Sequence, residues 1–60
     1  MRETVLMKGG VETLVIVTTE AGTELLDGEE ELLESYPEDR HEALLARYLA
    51  LGWEIEEDGP

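Results

Sequence analysis

The sequence contains no cysteine, phenylalanine, asparagine or glutamine, and only one lysine and one histidine. Each absence removes a class of solutions. Without cysteine there is no disulfide to staple a small fold, and no thiolate to hold a metal or attack a substrate. Cationic side chains are scarce, with 4 Lys+Arg against 16 Asp+Glu and a net charge of −12. A chain so charged has no basic stripe for a phosphate backbone or an anionic bilayer, so neither direct nucleic-acid binding nor membrane binding is expected. The longest uncharged run, residues 13–19, falls far short of the ~20 apolar residues a membrane helix needs. Arg2 and Glu3 precede a short apolar run with no cleavage-type segment, so a cytoplasmic protein is expected. Loss of thermolabile amides and thiols alongside many glutamates is a thermophile-like tendency, although Lys8 stands alone.

What is present fits one small domain. A 60-residue chain buries only about 60% of its unfolded surface, so good packing or self-association must supply stability. Charge divides the chain: residues 1–19 balance, while residues 20–60 hold fourteen acids against Arg40 and Arg47. The first part reads as a β-hairpin, with "RETVLMK" and "VETLVIVTT" separated by Gly9 and Gly10, a pair suited to a two-residue type I′ turn. That turn would set Val5 opposite Leu14 and Leu6 opposite Thr13. One face would then carry Val5, Met7, Leu14 and Ile16, and the other Leu6, Val11, Thr13, Val15 and Val17.

Residues 23–26, "TELL", suit a short extra strand, and the Glu-rich stretch 29–36 suits a short helix with its carboxylates at the positive end of the dipole. The main helix is expected over 37–51. Pro37 fits its first turn, Ser35 and Glu38 have capping-box spacing, and Leu44, Leu45, Tyr48 and Leu49 make the apolar stripe. Gly52 suits a left-handed stop after which Trp53 folds back on Tyr48, and a last strand follows over 53–57 with 58–60 as a loose tail. The fold class is α+β, a small antiparallel sheet packed on one main helix. The expected core is Val5, Met7, Leu14, Ile16, Leu25, Leu32, Leu44, Leu45, Tyr48, Leu49, Trp53 and Ile55.

Few residues suggest chemistry. Glu38 and His41 form an E-x-x-H pair, a spacing that serves di-iron sites when present twice with further glutamates. It occurs once here, and His41 at the polar edge of a helix with Glu38 as cap explains it without metal. Ser35 serves better as a cap than as a nucleophile, "KGGV" lacks the phosphate-loop pattern, and the aromatics have no basic groove beside them. No enzyme activity and no cofactor are expected. The acidic run, with Glu29, Glu30, Glu31, Glu34, Glu38, Asp39 and Glu42, reads as a wet helical surface. The expected function is protein–protein contact, with a homodimer built on the Leu6, Val11, Thr13, Val15 and Val17 face. Glu54 and Glu56 would sit at the rim of that face, with Arg2 and Lys8 to offset them. The alternative is an inhibitor or antitoxin-like protein that turns its acids, as a nucleic-acid mimic, toward a basic protein.

Overall fold

The computed structural model describes residues 1–60 as an α+β fold. Five antiparallel strands form one sheet: β1 (Arg2–Lys8), β2 (Glu12–Thr19), β3 (Gly22–Asp27), β4 (Leu32–Tyr36) and β5 (Glu54–Gly59), in the order β4-β3-β2-β1-β5. One helix, α1 (His41–Ala50), lies on one face. It is neither long nor apolar enough to cross a membrane.

The first hairpin departs from expectation by one residue. Gly9 and Gly10 both take positive φ (65° and 70°), and the Val11 N–H closes the turn on the Lys8 carbonyl at 3.3 Å. Val11 then drops out of the ladder, and Lys8 pairs with Glu12 instead. This register places Leu6 opposite Leu14 and Thr4 opposite Ile16, while Val5 meets Val15 and Met7 meets Thr13. A one-residue slip turns every side chain of one strand over relative to its partner. Hence Leu6 is fully buried, whereas Val5 and Met7, expected in the core, sit on the face away from the helix. Two contributions favour the observed register. It puts Thr4 beside Leu6 under α1, where the Thr4 hydroxyl lies 2.7 Å from Nε2 of the buried His41 and gives that ring nitrogen a partner. It also sets Lys8 directly opposite the oppositely charged Glu12.

The core is Leu6, Leu14, Ile16, Leu25, Leu44 and Leu45, with Tyr36, Tyr48 and Trp53 packed against it. Leu49 and Ile55, expected inside, are 43% and 45% exposed. The stretch expected as a short acidic helix is strand β4 preceded by a loop. Its register shifts between Leu25 and Leu26, so that Leu25 pairs with Glu34 and Leu26 with Leu32. Helix propensity favours a run of Glu and Leu, but the open edge of β3 offers ladder hydrogen bonds that a short helix cannot match.

The helix starts at His41, later than expected, and Ser35 and Glu38 form no capping box. The Arg40 N–H goes to the Thr23 hydroxyl at 2.9 Å, and the His41 N–H goes to the Asp39 carboxylate at 2.9 Å. At the other end the expected stop is present. Gly52 has φ 96°, its N–H reaches the Leu49 carbonyl, and the Trp53 N–H reaches Tyr48 at 3.0 Å. Trp53 packs edge-on to Tyr48 with ring centroids 5.9 Å apart, as a Schellman ending favours. Of the residues expected as a loose tail, Asp58 and Gly59 belong to β5, where Asp58 pairs with Thr4 across a register shift, and only Pro60 lies beyond it.

Candidate functional site

Two arrangements stand out, one sealed beneath α1 and one open on the other side of the sheet. The sealed one centres on His41, which is 1% exposed. Its Nε2 lies 2.7 Å from the Thr4 hydroxyl, and its Nδ1 lies 2.8 Å from the Thr18 hydroxyl. Thr4 is 2.6 Å from Asp58, and Thr18 is 2.7 Å from Thr23. The hydrogen positions follow from the two ends. A carboxylate only accepts, so Thr4 donates to Asp58 and must accept from His41 Nε2–H. At the other end the Arg40 N–H donates to Thr23, which donates to Thr18, which donates to His41 Nδ1. Every hydroxyl then donates once and accepts once, and the imidazole is neutral with its proton on Nε2.

The chain's electrostatics agree with this assignment. Burial is the main cause that holds His41 below the usual imidazole range; the Arg2 charge adds to it, while Asp58, Asp39 and Glu42 oppose it. Arg2 grips Asp58 with two N–H groups, at 3.3 and 3.1 Å, and also bonds Glu42. That grip, together with the Thr4 bond, holds the Asp58 carboxyl below the ordinary range. No buried side-chain nitrogen or oxygen lacks a partner.

This accounts for the E-x-x-H pair. Both ring nitrogens of His41 are occupied by threonines, and Glu38 precedes the helix, exposed and paired with Arg40 at 3.3 Å. The pair is not brought together as ligands, and no three His, Cys, Asp or Glu side chains gather in a metal-binding cluster. Sequence spacing pointed to His41 but not to its partners. Thr4 and Thr18 meet it, and Thr23 meets Thr18, only through sheet register.

The open arrangement is the sheet face opposite α1. Its central row crosses four strands as Val5, Val15, Leu26 and Leu32, each paired with the next, and Glu57 continues the row beyond Val5. The adjoining row is Glu3, Val17 and Glu24, and the row on the other side is Glu54, Met7 and Thr13. A shallow depression of about 390 Å³ lies on this face, lined by Val5, Val15, Val17 and Leu26 and edged by Glu3, Glu24 and Glu30. Of the expected interface, Thr13, Val15 and Val17 are here. Leu6 is not, because it is buried under α1, and Val11 is not, because it projects from the turn at 84% exposure. Val5, Met7, Leu26 and Leu32 take their places. Glu54 is at the rim as expected. The β1–β5 register shift makes Glu57 its companion there, while Glu56 is unpaired.

The acidic run does not form one surface. Glu29, Glu30 and Glu31 lie in the β3–β4 loop, where the Asp27 carboxylate accepts the Glu29 and Glu31 N–H groups at 2.8 and 2.9 Å. Glu34 lies on the helix side, bonded by the Tyr36 hydroxyl and reached by Arg47 at 3.3 Å; the Tyr36 bond is the largest cause of its lowered pKa. Glu42 pairs with Arg2, and Asp39 holds the helix start. The four cations share one side. Arg2, Arg40 and Arg47 pair with Asp58, Glu38, Glu34 and Glu42, and Lys8 shares the Arg2, Thr4 and Leu6 side of β1, near Gly52. The open face has carboxylates and no cation.

Compared with known proteins, the chain matches no family model, no curated protein and no solved structure.

Proposed function

We propose that the protein works without catalysis, by protein–protein contact through the open face of its sheet. One observation carries this reading. The helix covers one side of the sheet, and the other side keeps Val5, Met7, Val15, Val17, Leu26 and Leu32 without any covering element. An apolar field of that kind on a small protein marks an interaction site. The sequestered imidazole supports the non-catalytic part, since both of its nitrogens are occupied in the interior.

Two occupants suit the field, a second copy of the chain or a basic protein, and the two differ in charge. The contact itself is tested by a photo-crosslinking side chain placed at position 15, compared with one at Ala46 on the exposed side of α1, in the protein's own cells. Discrete adducts from position 15 and none from position 46 are expected. Equal or absent yields at the two positions would count against the open face.

A further inference from the structure

The rim of the open face identifies the occupant. We infer that this face receives a basic amphipathic helix of about three turns from another protein, an inference that rests on the contact reading above. Glu3, Glu24, Glu30, Glu54 and Glu57 surround or interrupt the apolar floor, and no cation shares the face. Two-fold pairing of two copies would bring ten such carboxylates, five from each, around one contact. Arg2, expected to offset them, is held on the helix side by Asp58 and Glu42. Like charges facing each other disfavour a second copy, whereas lysines or arginines around an apolar stripe complement the rim.

The dimensions favour a helix. Val5 to Leu32 crosses four strands, roughly 14 Å at ~4.8 Å per strand, and Val17 to Thr13 runs about 13 Å along β2. A helix of ~10 residues is about 15 Å long and ~10 Å wide with its side chains, which matches the field in either direction. The protein covers its other face in the same way, with a helix of 10 residues. A second sheet would spread over the carboxylates at the rim. An added strand would pair at an edge and leave the face uncovered.

The test uses three synthetic twelve-residue peptides with leucines at helical spacing and lysine, glutamine or glutamate at every other position. Each is titrated into the isotopically labelled wild-type protein at ~0.01 M and ~0.1 M salt, where the Debye length is ~30 Å and ~10 Å. The lysine peptide is expected to bind one-to-one and to shift the signals of Val5, Val15, Val17 and Leu26. Its binding should weaken about tenfold at the higher salt, and the glutamate peptide should not bind. Equal binding of the lysine and glutamine peptides would overturn the basic partner but keep the contact face. Shifts centred on Glu38 and Glu42 would overturn the face itself. Sedimentation equilibrium separates the remaining outcomes. A salt-independent dimer that binds no peptide makes a second copy the occupant. A monomer that binds none removes both readings.

Discussion

His41 ties α1 to β1 and β2 through its two ring nitrogens, and through Thr4 and Thr18 to Asp58 of β5 and Thr23 of β3, so its protonation state carries a stability consequence. The folded imidazole is neutral, with a pKa below the ordinary 6.5 because of its burial. Protonation would make Nδ1 a donor, reverse the Thr18 and Thr23 hydroxyls, and leave the Thr23 hydrogen to find another acceptor. The unfolded chain therefore binds more protons than the folded one below pH 6.5. Stability is fully present above that pH and is lost as pH falls toward the depressed folded value. The melting temperature is expected to drop between pH 7.5 and 5.5, where ordinary carboxylates stay ionised, and imidazole NMR should show the Nε2–H form at pH 7. Asp58 and Glu34, with lowered pKa values, add a second loss further into acid. Thr4→Val should cost about 1–3 kcal/mol, because it leaves the buried Nε2–H without an acceptor. A second residue-level expectation contrasts two glycines. A Cβ at Gly22 would stand 2.0 Å from the Tyr36 carbonyl oxygen, whereas at Gly52 it would meet only the end of Lys8 at 4.0 Å. Gly52→Ala should cost about 1 kcal/mol for its positive φ, and Gly22→Ala distinctly more, in chemical denaturation.

Elements were legible in the sequence where their determinants are local. Gly52 and Trp53 announced the helix end because a Schellman stop needs only residues within one turn of it. The helix start was not legible, because the group that takes the Arg40 N–H is Thr23, which comes from another element. Strand β4 was hidden for a related reason, since its residues prefer a helix until β3 offers them an edge. The extra strand β3 and the α+β class were readable from residues 23–26 and the alternating hairpin. The candidate site was readable in part: Thr13, Val15 and Val17 were placed on the exposed face, and one bulged residue misplaced their companions. That residue gives an element-level test. Deleting Val11 leaves Lys8, Gly9, Gly10 and Glu12 as a direct two-residue hairpin and preserves the Lys8–Glu12 register. The deletion variant should melt within a few degrees of wild type and retain the Leu6–Leu14 cross-strand contact by NMR. Deleting Thr13 instead would turn the remainder of β2 over, exposing Leu14 and Ile16, and should prevent folding.

The whole molecule is electrically lopsided: every cation lies on the helix side, and the open face carries only carboxylates around its apolar floor. Two opposing effects follow when salt is added. Screening weakens the ion pairs of Arg2, Arg40 and Arg47, but exposed pairs contribute little, about 0–1 kcal/mol each. It also relieves repulsion summed over a net charge of −12, much of it unpaired. The second effect should win, so the melting temperature should rise between ~0.01 M and ~0.1 M salt. Its location is testable by neutralising charge on one side at a time. Glu3 and Glu24 flank Val17 on the open face with no cation beside them. The Glu3→Gln, Glu24→Gln variant should therefore melt higher than wild type at low salt and show a shallower salt dependence. Glu42→Gln removes a carboxylate that Arg2 already pairs, so it should give no such gain. Thermal melts followed by Trp53 fluorescence at the two salt concentrations decide the matter. If Glu42→Gln stabilised as much as the double change, the repulsion would be spread evenly and the open face would hold no excess of it. If only the double change stabilises, the rim stores unfavourable charge in the free protein that a basic partner would relieve on binding.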